Sequence, residues 1–216
     1  MLRLPTTPVA LCALLLMAPS LARAAEPAAD WDGGFSRAPA ERRSGVTIGA
    51  ATGLLGASAV GYPNQLATID DPAYRASTGL AVGARASLWL GGALTDWFSL
   101  GLGLDAVRYR GGGLAARGSG FIFRMEGFPL FAQGGPWRDV GVAADFGLAG
   151  LTLEEEGEER ASGGSMSLLG VGAFWETWRP GGIAIGPVLE YEYVYSPSLR
   201  AHSVVAGFRF AFYGGP

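Results

Sequence analysis

The chain of 216 residues has no lysine, one histidine and one cysteine. Its 16 basic residues are all arginine and face 19 acids, giving a net charge of −3. A single cysteine cannot pair within the chain, which excludes a disulfide scaffold. An isoelectric point near 5.2 argues against a nucleic-acid binder. Charged residues make up only 16% and hydrophobic ones 49%, the opposite of a disordered chain. No segment from Gly45 onward keeps a 3.6-residue period or an apolar run long enough for a spanning helix. What is plentiful is glycine, 35 residues without the collagen triplet, together with aromatics. Abundant glycine and aromatics with little charge fit a membrane-embedded sheet, and the length suits one domain.

The first 24 residues read as an export signal. Arg3 gives a positive start, Val9 to Met17 an apolar run, and Ala22-Arg23-Ala24 a small-x-small site, so cleavage is expected after Ala24. The run is short of the roughly 18 residues of a transmembrane helix. Leu11 before Cys12 is not the small residue of a lipoprotein site. Residues 25–44 are rich in Ala, Pro and charge without an apolar period, and are expected to form a flexible periplasmic tail.

Alternation governs the rest. Segments 45–57, 78–92, 97–110, 118–131, 138–153, 165–178, 183–195 and 203–213 each put large apolar residues on one face. The other face carries glycine, alanine and single charges. In 183–195 the bulky face is Ile183, Ile185, Pro187, Leu189, Tyr191, Tyr193 and Tyr195; in 203–213 it is Val204, Ala206, Phe208, Phe210 and Phe212. Most segments run well beyond a globular strand of about 5–6 residues and suit a tilted membrane crossing of about 9–11. So many bulky residues would overfill a soluble, lipocalin-like barrel, whereas a small-residue face fits a narrow lumen. The fold class expected is therefore all-β, an eight-stranded antiparallel transmembrane barrel over 45–213.

Connections near Leu94–Asp96, Gln133–Trp137 and Arg179–Gly182 are short, while those near 58–77, 111–117, 154–164 and 196–202 are mostly longer. Short turns on the periplasmic side and long loops outside are the plan of an outer-membrane barrel, with both termini on the short-turn side. Trp97, Trp137 and Trp178 at the short turns are then one aromatic girdle, and Tyr109, Tyr193 and Tyr195 belong to the other.

The signal segment, the eight hairpin-linked segments and the ending Phe208, Arg209, Phe210, Ala211, Phe212 and Tyr213 resemble small outer-membrane barrels of the OmpA, OmpX and OmpW type. The resemblance is one of architecture. It implies an outer-membrane location and lipid and lipopolysaccharide as surroundings. It also implies recognition by the barrel assembly machinery through the C-terminal strand, although here Gly214, Gly215 and Pro216 follow the last aromatic. A monomer without cofactor, metal or nucleic acid is expected.

Alternation places Arg85, Asp105, Arg124, Glu126, Asp145, Glu176, Glu190, Glu192 and Arg209 in the lumen. A lipid-facing arginine at mid-membrane would cost about 2–4 kcal/mol, so these charges must pair or be hydrated inside. Strand adjacency predicts Arg209 with Glu190 or Glu192, and Arg124 with Asp105 or Asp145. Two functions follow: a barrel with a charge-plugged lumen and a structural or surface-interaction role, or a narrow porin-like channel for ions or small solutes.

No catalytic constellation is expected. His202 and Ser203 are strand neighbours and point to opposite faces. Ser196 and Ser198 complete no triad, and Val204 stands where the lipid A deacylase pattern needs serine. Glu154 to Glu159 reads as a solvated loop without metal-ligand spacing. Gly111 to Gly113 lacks the Lys and Ser/Thr of a phosphate loop.

Overall fold

The computed structural model describes residues 42–215. The expected signal segment and most of the expected tail lie outside these residues. Ten strands follow: β1 (Gly45–Gly61), β2 (Ala76–Ser77), β3 (Ala81–Thr95), β4 (Phe98–Gly111), β5 (Leu114–Gly127), β6 (Val140–Glu155), β7 (Glu158–Ser162), β8 (Met166–Trp175), β9 (Ile183–Tyr195) and β10 (Leu199–Tyr213). Eight are staves, in the order β1, β3, β4, β5, β6, β8, β9, β10, each antiparallel to the next. β10 then pairs with β1 from Thr47↔Tyr213 to Gly61↔Leu199, which closes the barrel and removes both edges. β2 and β7 are short loop strands on β1 and β6.

Turn chemistry moves several staves from their expected bounds. Gly112 and Gly113 both have positive φ and turn the chain in two residues, so β5 begins at Leu114 rather than 118. The expected loop 111–117 is thus a tight hairpin. Conversely, the short turn expected near Gln133–Trp137 is a longer connection over 128–139 that holds two 3-10 turns. Connection length therefore does not separate the two ends of this barrel as expected. β8 stops at Trp175 because the next position on β9 is Pro187, which has no N–H to continue the ladder.

Both described ends lie together: the Gly214 N–H donates to the Val46 carbonyl, 2.8 Å away. This end, with the connections 96–97, 128–139 and 176–182, is here the terminal end; the other is the loop end.

The outside is apolar. Leu54, Leu88, Leu90, Leu102, Leu104, Phe121, Leu148, Leu189 and Phe208 are all exposed. A continuous belt of this kind marks a surface made for lipid. The inside carries the core and the charges. The chain is a transmembrane β-barrel, with the hydrophobicity of a soluble barrel turned inside out.

Candidate functional site: the charged lumen

The lumen is layered. At the loop end Leu55, Tyr109, Leu114, Leu151, Leu153 and Met166 pack with small alanines into an apolar plug. Toward the terminal end Trp89, Phe128 and Phe174 form a second apolar layer, with Phe128 and Phe174 edge to face at 5.5 Å. Arginines and carboxylates lie around and between these layers.

Toward the loop end, Arg85 from β3 reaches Asp105 at 2.6 Å, Glu190 at 2.7 Å and Glu192 at 2.8 Å. Arg124 from β5 makes a two-pronged contact with Asp145 at 2.7 and 2.8 Å and a third with Glu190 at 2.7 Å. Glu190 thus joins the two arginines. Arg124 also lies 4.0 Å from Glu126, which leads to the second cluster.

That second cluster is centred on Arg209 from β10, which bonds Glu126 at 2.7 Å and Glu176 at 2.8 Å. Glu176 also holds Arg43 at 2.7 Å and Arg179 at 2.8 Å, and accepts from the Tyr213 hydroxyl. Guanidiniums of these clusters lie over aromatic faces, among them Arg43 over Phe128 at 3.5 Å, Arg209 over Phe174 at 4.1 Å and Arg124 over Trp89 at 4.3 Å. Such contacts let a planar cation sit among rings that exclude water. Glu176 lies past the end of β8, in the connection 176–182. Burial pushes its carboxyl up, but Arg209, Arg43 and Arg179 outweigh this and hold it below its ordinary value.

All nine charges expected in the lumen are buried. Arg124 pairs with Asp145, one of its two expected partners. Arg209 does not pair with Glu190 or Glu192, and the register explains why. Arg209 is level with Gly186 on β9, whereas Glu190 is level with Val205. Four residues along a strand is about 13 Å. Arg209 instead crosses the lumen to Glu126 on β5.

Two further corrections concern the edges of the site. Tyr109 is not in a girdle: it shares the inward face of Asp105, four residues earlier, and is buried in the apolar plug. Tyr195 is exposed and stacks on Tyr193 at 5.2 Å. Trp97, Trp137 and Trp178 are exposed at the terminal end. The described end of the expected tail, residues 42–44, is held against the barrel. The backbone N–H groups of Arg42 and Arg43 donate to Asp96 at 2.7 and 2.8 Å, and the Arg43 side chain enters the lumen. Nothing local in a stretch rich in Ala, Pro and charge signals that its last arginines have partners on three distant connections.

No nucleophile–base pair forms around the histidine. His202 faces outward, 2.7 Å from the Tyr191 hydroxyl and stacked on Tyr193 at 4.5 Å, while Ser203 faces the lumen. Ser196 and Ser198 bond each other and nearby carbonyls. The acidic run forms the β6–β7 hairpin, where Glu155 meets Arg160 at 2.8 Å. Among the described residues no group of three His, Cys, Asp or Glu is arranged for a metal ion.

No protein-family model and no curated protein matches the chain. Solved structures with a similar fold include Neisserial surface protein A, at 17% identity and a TM-score of 0.45, covering 77% of this chain and 96% of that one. The outer membrane protein OprG from Pseudomonas aeruginosa has 10% identity and a TM-score of 0.40, covering 80% and 98%. Ail, the attachment invasion locus protein of Yersinia pestis, has 12% identity and a TM-score of 0.27, covering 78% and 99%. At these values the reading of this barrel rests on its own closed ladder and its two faces.

Proposed function

We propose that this chain is a non-enzymatic outer-membrane barrel, inserted through an export signal over 1–24, whose plugged lumen leaves a structural or surface-interaction role. One observation carries the reading. The lumen is filled at the loop end by Leu55, Leu151, Leu153 and Met166, and below them by arginines that each hold two or more carboxylates. An ion path would need continuous water along this axis, and the packed apolar side chains interrupt it: the void between Asp105, Tyr109, Leu151 and Glu192 is about 20 Å³, room for a single water. The exposed apolar belt supports the membrane setting, and the outward Phe208, Phe210 and Phe212 of the last strand suit recognition by the assembly machinery. The loop end faces outward in this proposal, with lipid and lipopolysaccharide around a monomeric barrel.

The test is conductance of the purified barrel in planar lipid bilayers. The expected result is no steady channel. Reproducible cation-selective steps would favour the narrow channel instead. Orientation is checked on intact cells, where a protease site inserted near Glu156 should be cut and one near Gly181 protected.

A further inference from the structure

Arg108 and Arg110 on β4 and Arg117 on β5 point outward at the loop end, and all three are exposed. Arg108 is directly opposite Arg117 in the ladder, and Arg110 is opposite Ala115. The four positions make a square with arginine at three corners and a small residue at the fourth. Like charges directly opposite each other on one face destabilise a strand pair. Among the described residues neither Arg108 nor Arg110 has an ion-pair partner, and Arg117 has only the Glu154 carboxylate at 3.5 Å. Glu154, opposite Ala115, and Glu156 share a recess with Arg110 and Arg117, so two carboxylates stand against three guanidiniums, and the remaining positive charge is open to an anion from outside the chain.

The surroundings say which kind. One level toward the middle of the barrel lie Ala106 and Ser119, both small. Beyond them come Leu104 opposite Phe121, then Leu102 opposite Phe123, with Phe123 stacked on Phe146 at 5.3 Å. A cationic square thus sits directly above a strip of the apolar belt, shallow at its top. That is the outline of an anionic headgroup with its acyl chain below. The two rims also differ. The outward stave positions at the terminal end, among them Val46, Leu94, Trp175 and Phe212, carry no arginine, whereas those of the staves at the loop end carry four, Arg200 being the last.

We infer that Arg108, Arg110 and Arg117 form a binding site for a phosphate-bearing lipid in the leaflet at the loop end. Two guanidinium forks on adjacent strands can grip one phosphate in charge-assisted bonds, and the flexible stems let them rise to headgroup level. The bound phosphate removes the repulsion between Arg108 and Arg117. The inference rests on the membrane reading above.

Native mass spectrometry of the full barrel in detergent micelles tests it, with diphosphoryl lipid A, a dephosphorylated lipid A and inorganic phosphate as probes. Wild type should bind diphosphoryl lipid A about tenfold or more tightly than the dephosphorylated form. The Arg108→Gln/Arg117→Gln double variant should lose that preference, while Arg200→Gln, on the far strand β10, should keep it. Unchanged preference in the double variant overturns the site. So does equal weakening by Arg200→Gln, which would mean diffuse attraction, and so does displacement of the lipid by inorganic phosphate at matching concentration. Heat-dependent gel mobility verifies that each variant is folded. A wild-type chain that is folded and monomeric without detergent refutes the membrane reading itself. A detergent-requiring barrel indifferent to the phosphates refutes only the lipid site.

Discussion

Replacing Arg209 by alanine separates a dry, ion-paired lumen from a wet one. The Arg209 side chain is 2% exposed and its partners Glu126 and Glu176 are 1% exposed. The loss falls unevenly on the two acids. Glu176 keeps Arg43, Arg179 and the Tyr213 hydroxyl. Glu126 keeps only the Ser99 hydroxyl at 3.2 Å and Arg124 at 4.0 Å. An almost unpaired buried carboxylate should cost about 3–5 kcal/mol. Removing Glu126 as well should return about 1–3 kcal/mol relative to the sum of the single changes, since the stranded charge is then gone. Arg160→Ala serves as the control. Its pair with Glu155 is 51% and 45% exposed, so about 0–1 kcal/mol is expected. Urea unfolding in lipid vesicles, followed by tryptophan fluorescence, measures all three. An Arg209→Ala barrel within about 1 kcal/mol of wild type would refute the reasoning, because only water around Glu126 could screen its charge that well.

Leu153→Ala should cost about 2–5 kcal/mol in the same assay, since Leu153 is fully buried in the loop-end plug; a far smaller cost would mean that this part of the lumen is hydrated. Gly207→Ala should lower the melting temperature on heated gels by overpacking worth about 1–3 kcal/mol. A Cβ there meets the Thr52 carbonyl and the Gly53 backbone at the β1–β10 seam, whereas Gly56→Ala meets nothing and should be neutral. Glu176 is held below the ordinary 4.5 of its side chain, so its stabilisation is full above that value and is lost as pH falls through the lower folded value. Urea midpoints measured on acidification should therefore fall, and Glu176→Gln should flatten that part of the curve.

Much of this was legible in the chain. Period-two alternation is a local property, and it placed Arg85, Asp105, Arg124, Glu126, Asp145, Glu190, Glu192 and Arg209 on one face without knowledge of any neighbour. The same rule, applied to β4, would have put Tyr109 with Asp105. Its assignment to a girdle followed its position near a strand end and overlooked its parity. The apolar plug was harder to see. Leu55, Leu151, Leu153, Val194 and Val205 alternate onto the inner face, but they come from four staves and form a layer only once the barrel closes.

The sequence by itself determined a barrel with an apolar outside and charges inside, because alternation sorts side chains between two faces within each strand. Only the tertiary structure decided which charges meet. Stave order and register set the height of each carboxylate, so Glu190, on the strand beside Arg209, lies out of its reach while Glu126 across the lumen does not. Closure also brought Arg43 from before the first strand to Glu176 from beyond β8. A contact between residues more than a hundred positions apart depends on the geometry of a closed ring, and no local pattern carries it.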